Sequence, residues 1–173
     1  MKLADIRKRV AYNENAPLSQ KQATHLFLSS RANEYEFAVT LTIKQNSVIT
    51  NNNGTHIQVT RKDDLLRTAK KFRQKLNRLT YGRNADYNGK GMKYFAVIEG
   101  ERSNKLLHLH LAVGNKPTNM PFSRCGELIR IAAGLCELVN EQVDIQIMDS
   151  GWMEYITKEV GNNDTDNVLW QVK

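Results

Sequence analysis

Cysteine is scarce in this 173-residue chain, and acidic residues are in deficit. The two cysteines, Cys125 and Cys136, have no CxxC spacing. That excludes a disulfide framework and a zinc knuckle, and buried thiols in a reducing cytosol account for both. No apolar run is long enough to cross a bilayer. The start, Met1-Lys2-Leu3-Ala4-Asp5, lacks the apolar stretch of a secretory signal. There is no internal repeat and no low-complexity segment. No basic amphipathic helix carries an aromatic anchor face, which argues against a membrane-surface role. Against 18 Asp+Glu stand 25 Lys+Arg, a formal net charge of +7. That surplus favours a polyanionic partner, nucleic acid first. The length suits one domain with a sizeable core, and 40% apolar with 25% charged residues is ordinary globular composition.

The first 34 residues read as a polar, partly helical extension, with one helix over Ser19 to Arg31. Phe37, Val39, Leu41 and Ile43 then alternate with small and polar residues, the period of a half-buried strand. Asn51-Asn52-Asn53-Gly54 signals a turn, and Thr55 to Val59 a second, short strand. Thr60-x-x-Asp63 resembles a capping box that opens a helix. Leu65, Ala69, Phe72, Leu76 and Leu79 form its apolar stripe, with Arg67, Lys70 and Lys71 mostly off it. Lys93 to Glu99 and Leu106 to Val113 read as a hairpin closed by Gly100 to Lys105. Ser123 to Asn140 reads as a helix carrying both cysteines, with an apolar surface that includes Leu128, Ile131, Ala132, Leu135 and Val139. Val143, Ile145 and Ile147 mark another strand. A helix capped by Asp149 or Ser150 ends at Gly161, and Val168 to Val172 adds an edge strand. With the short strand set aside, the order from residue 35 is βαββαβ plus a helix. This predicts an α+β fold, a ferredoxin-like antiparallel sheet with helices on one face. The domain spans residues 35–173, with residues 1–34 as its extension.

Leu107-His108-Leu109-His110-Leu111 is the most informative stretch. On a strand, i and i+2 point the same way. The leucines therefore face the core, and His108 and His110 share the other face, a good start to a metal site. In a tight hairpin Glu99 falls on the histidine face, diagonal to His108 at about 7–8 Å, within reach of a shared ion. Glu101 is the alternative if the turn is shorter. Two imidazoles and a carboxylate suit magnesium or manganese, or zinc where available.

In the last helix Trp152, Ile156 and Val160 form the buried stripe, and Tyr155 and Lys158, at i and i+3, share another face. A tyrosine can attack a phosphodiester and hold one DNA end covalently, splitting a hard transfer into two reversible steps. Free tyrosine is a poor nucleophile, with a pKa of about 10. A neighbouring ammonium favours the phenolate and offsets charge growing on phosphate.

With these residues the sequence resembles the Rep-type HUH endonucleases, which initiate rolling-circle replication in small plasmids, phages and single-stranded DNA viruses. Phe37-Ala38-Val39-Thr40-Leu41-Thr42 matches the family's first motif, a strand with a Thr-rich end. His108-Leu109-His110 matches the second, with Glu99 as the acid on the neighbouring strand. Tyr155-Ile156-Thr157-Lys158 matches the third. The likeness covers roughly residues 35 to 160. It implies a divalent ion (manganese or magnesium) on His108, His110 and Glu99, Tyr155 as nucleophile taking the 5′ end, and Lys158 assisting at the phosphate. The implied substrate is single-stranded DNA, an origin hairpin, cut in the cytoplasm of a prokaryotic host. One tyrosine rather than two puts paired strand transfer in doubt. Gly89-Lys90-Gly91 is not a Walker A motif, so the expected partners are a polymerase and a host helicase, unless an ATPase domain lies outside this sequence. Lys44, Arg67, Lys70, Lys71, Arg102 and Lys105 are candidate phosphate contacts. A single-tyrosine HUH transposase is the nearest rival. There Glu159 stands where a Gln is usual, and Lys158 favours the Rep type. A non-catalytic nucleic-acid-binding module of the same fold is the second, and it would offer exposed aromatics on the sheet instead of histidines.

Overall fold

A computed structural model describes residues 17–51, 54–83, 85, 90–100, 106–158, 160, 167–170 and 172. Glu101, Arg102, Lys105, Glu159, Gly161 and residues 1–16 lie outside them. The chain is α+β, with a four-stranded antiparallel sheet and four α-helices among the described residues.

The first described helix, α1 (Gln20–Ser29), opens with a capping box. The Ser19 hydroxyl accepts from the Gln22 N–H at 3.3 Å, and the Gln22 side chain accepts from the Ser19 N–H at 2.9 Å. The alternating run forms β1 (Phe37–Ile43). A separate hairpin follows, β2 (Asn46–Asn51) against β3 (Gly54–Val59), so the Asn-Gly turn signal closes a two-stranded ribbon.

Helix α2 (Lys62–Tyr81) starts one residue later than Thr60 would place it. The Thr60 hydroxyl is diverted, donating to the Lys44 carbonyl at 2.6 Å. Arg61 is the N-cap instead, and its N–H donates to the Asp64 carboxylate at 2.9 Å. Leu65, Ala69, Phe72 and Leu76 are buried as the stripe requires, whereas Leu79 is exposed.

The hairpin strands are β4 (Lys93–Glu99) and β5 (His108–Gly114). Helix α3 (Phe122–Gly134) is shorter than the expected Ser123 to Asn140; of its apolar surface Leu128 and Ala132 are buried, while Ile131 and the C-cap Leu135 are exposed. Past Gly134 the chain turns through Cys136, whose carbonyl accepts from the Val139 N–H at 3.0 Å. Val139 then begins β6 (Val139–Ile147) opposite Ile43, across a register shift. Cys136 therefore sits in the turn, and only Cys125 in the helix; both thiols are free and buried. Burial pushes Cys125 up to about 11, so it stays protonated and unreactive.

Helix α4 (Ser150–Thr157) is capped by Asp149, which accepts from the Trp152 N–H at 2.7 Å. It stops short of Gly161. The Thr157 hydroxyl turns back onto the carbonyls of Met153 and Glu154, and the next turn is irregular. The C-terminal stretch makes one bridge, Val168 to Val97, flanked by backbone bonds to Ala96 and Ile98, rather than a full edge strand.

The sheet runs β4-β5-β1-β6. Its leucine-bearing face packs on α2 and α3 to form the main core of Phe37, Val39, Leu41, Phe72, Leu109, Leu111 and Ile129 among others. The opposite face is covered only in part. There Leu28 of α1 and Ile156 of α4 join Phe95, Val97, Ala112 and Val168 in a second cluster, with Trp152 at its margin. Phe27 of α1 stacks edge-on with Trp170, which in turn meets Phe95. Helix α1 is therefore packed onto the sheet. No described helix is long and apolar enough to cross a membrane.

Candidate functional site

The partly covered face carries a polar patch, and strand register dictates which residues meet there. Glu99 pairs directly with His108 and Val97 with His110. The pairing sum is odd, which keeps Glu99 on the histidine face, but the last pair leaves residues 100–107 between the strands instead of a tight turn. Glu99 is thus opposite His108 and diagonal to His110, rather than diagonal to His108. Across the sheet, Thr40 pairs with both His110 and Asp144, and Thr42 with His108. One row reads Val97, His110, Thr40, Asp144; the next begins Glu99, His108, Thr42. Gly100 follows Glu99 with φ of 94°, and a Cβ there would clash with the Leu106 carbonyl oxygen, so only glycine fits the end of β4.

Ligand atoms of Glu99, His108 and His110 all lie within 4.8 Å of one another, so one ion could be held by all three. Glu99 and His110 are buried, His108 half-buried. His110 Nε2 is hydrogen-bonded to Glu99 Oε2. Its Nδ1 lies 3.0 Å from the Thr40 hydroxyl, which can donate to a bare nitrogen or accept from a protonated one. Thr40 therefore serves either imidazole tautomer, including the one that turns a lone pair on Nε2 toward an ion.

Helix α4 crosses this patch. The Tyr155 hydroxyl donates to Glu99 Oε2 at 3.3 Å, and its ring meets His110 edge-on at 5.1 Å between centroids. Lys158 Nζ donates to Glu99 Oε1 at 2.8 Å and lies 3.5 Å from the centre of the Tyr155 ring. The shared face expected from i, i+3 spacing is realised, even though Lys158 is the C-cap rather than inside the helix. Tyr155 remains 43% exposed, open to a substrate from solution.

The electrostatics follow from this crowding. Burial acts to raise the Glu99 carboxyl, but hydrogen bonds from Lys158 and His110 outweigh it and hold the group at about 2. Burial lowers His110 more than Glu99 raises it, leaving a neutral imidazole, the form a metal requires. Burial acts to lower the Lys158 ammonium, but its bonds to Glu99 and Tyr155 raise it overall.

The candidate phosphate contacts are placed elsewhere. Lys44 follows β1 and donates to the Glu137 carbonyl at 3.0 Å. Arg67, Lys70 and Lys71 are on α2, beyond the sheet from the imidazoles. Arg67 pairs with Asp64, and Lys71 with Glu137 at 2.9 Å. These four are not brought together with the Glu-His-His group. Arg102, Lys105 and the alternative ligand Glu101 fall outside the described residues. Two members of the site were not singled out from sequence. Thr40 was legible only as part of a Thr-rich strand end, and Asp144 only as the polar alternate of Val143 and Ile145.

No family model matches the chain, and no curated protein or solved structure matches it significantly. The functional reading therefore rests on the site itself. It joins three donors that could hold a cation, an accessible tyrosine hydroxyl and an adjacent ammonium.

Proposed function

We propose that this chain is a metal-dependent, single-tyrosine endonuclease of the HUH class. On this reading it nicks and rejoins single-stranded DNA through a 5′-phosphotyrosine link to start rolling-circle replication. The observation that carries the reading is the 3.3 Å contact between the Tyr155 hydroxyl and Glu99, one residue of the Glu-His-His group. A nucleophile and a cation site that share one carboxylate are suited to one phosphodiester. The strand order supports the ferredoxin-like frame, with α2 and α3 joining the strands and the β2–β3 hairpin as an insertion.

The residues present fit a divalent ion, manganese or magnesium, held by Glu99, His108 and His110. Such an ion supplies Lewis-acid polarisation of a non-bridging phosphate oxygen. Tyr155 then provides the attacking oxygen. A bond forms from it to phosphorus and the bond from phosphorus to the 3′ oxygen breaks. The phenol proton passes to solvent, and the departing oxygen takes one up as a free 3′-OH. Lys158, beside both the ring and Glu99, offsets the charge that builds on the phosphate. Thr40 holds His110 in place. The reverse attack by a 3′-OH on the phosphotyrosine reseals the strand. A host helicase and polymerase would complete replication in the cytoplasm of a prokaryote.

The test is incubation with 5′- and 3′-labelled single-stranded DNA, with manganese or EDTA, on a denaturing protein gel. A manganese-dependent covalent adduct with the 3′-side fragment is expected, absent in Tyr155→Phe and in His108→Ala. Tight binding in EDTA with neither cleavage nor adduct would overturn the enzyme reading and favour a binding module.

A further inference from the structure

An open cleft of about 410 Å³ lies on the β6 side of Tyr155, away from Glu99 and Lys158. Register explains its walls. Asp144 and Gln146 of the edge strand sit beside Thr40 and Ala38 on the same face as the histidines. Helix α4 supplies the opposite wall through Asp149, Trp152 and Tyr155. The cleft thus begins at the nucleophile and has an indole and a phenol on one side and acceptor groups on the other. Trp152 is half-buried and braced edge-on against His110 at 6.2 Å, so its position is fixed. Gln146 Nε2 donates to Asp144 Oδ2 at 2.7 Å, which orients the amide and leaves its carbonyl oxygen to accept. The other polar groups on this wall are the Asp144 carboxylate and the Thr40 hydroxyl, which is engaged with His110 Nδ1 at 3.0 Å; Asp149 adds a second carboxylate from the α4 wall.

Two carboxylates make the cleft a poor seat for phosphate, so the nucleic-acid backbone is disfavoured there. A flat ring between aromatic and acceptor walls is favoured instead, since every base has a stacking face. The acceptors then select. Adenine, cytosine and guanine each present an exocyclic amino donor. Thymine offers one imino N–H between two carbonyl oxygens, which face the carboxylate unfavourably.

We infer that this cleft binds the nucleobase adjoining the phosphate at Tyr155, and that Asp144 and Gln146 make it accept amino-bearing bases and reject thymine. The inference deepens the nickase reading by placing a specificity-determining pair beside its nucleophile, and it rests on that reading for the path of the strand.

Binding without cleavage separates the two. Fluorescence anisotropy in EDTA would compare labelled dC12, dA12 and dT12 on the full chain. The deoxycytidine and deoxyadenosine strands should bind about tenfold more tightly than the thymidine strand, within the range of one good hydrogen-bonded base contact. Asp144→Asn, which replaces an acceptor by an amide that also donates, should bring the cytidine-to-thymidine ratio close to one. A uniform gain in affinity from the lost charge leaves that ratio unmoved, so the ratio isolates base reading. Asp144 is exposed on an edge strand, and the variant will fold. Equal binding of all three strands, or a ratio unchanged in Asp144→Asn, would overturn the proposal. A preserved ratio shift without any covalent adduct in manganese would leave the base cleft standing and sink the nickase reading alone.

Discussion

Thr40 shows how much one hydroxyl decides here. It is the contact on His110 Nδ1, at 3.0 Å, and so holds the ring that also touches Glu99. Partners of this kind around a metal-ligating imidazole are worth about 10–100-fold in metal affinity. Thr40→Val should weaken manganese binding by that factor in calorimetric titration, and Thr40→Ser should restore most of it. Glu99 offers a second check. Its carboxyl is held at about 2 in the fold, against about 4.3 in an unfolded chain. It contributes stability above the unfolded value, and the contribution is lost as pH falls toward about 2. Glu99→Gln should be less stable at neutral pH, and its stability should fall less steeply between about pH 4.3 and 2. Urea unfolding across that window reads the difference, and parallel slopes in the two proteins would contradict the account.

At the scale of elements, the site depends on strands whose other face is core. Leu109 stands between the two histidines, points away from them and is fully buried. Leu109→Ala should cost about 2–5 kcal/mol, and metal affinity should fall with it because the strand loses its seat on α2 and α3. Denaturant unfolding paired with metal titration measures both. Elements with one clean period were legible in the sequence. The alternation of β1 and of Leu107 to Leu111, and the spacing of Leu65 to Leu76, each admit one reading, and with them came the shared face of Glu99, His108 and His110. Boundaries were less legible where apolar residues continue through a change of structure. Leu135, Cys136, Leu138 and Val139 extend a helical run, yet the chain turns there and starts β6. Thr60 looks like a cap because nothing local shows that its hydroxyl reaches Lys44. The place of Asp144 beside Thr40 is a matter of strand order, which no local pattern encodes.

For the whole molecule, layering separates two kinds of surface. The basic helix α2 covers one face of the sheet, while the Glu-His-His group and Tyr155 occupy the other. On the proposed reading, a strand held at Tyr155 would reach Arg67 and Lys70 only by passing around the sheet, and the charge of +7 would serve approach more than docking. Because metal binding is linked to folding, manganese at a hundred times its dissociation constant should stabilise the fold by about 2.7 kcal/mol. For a domain of this size that is about 5–10 °C in Tm. Thermal melts with and without the ion should show the shift, and His108→Ala should abolish it.

The central claim is that Tyr155 is the residue that takes the DNA end. Mass spectrometry of protease digests, after reaction with single-stranded DNA and manganese, tests it most directly. The account predicts a nucleotide-modified peptide with the phosphate on Tyr155, and none when manganese is replaced by EDTA. A modification mapped to another residue, or strand cleavage with no modified peptide, would contradict it.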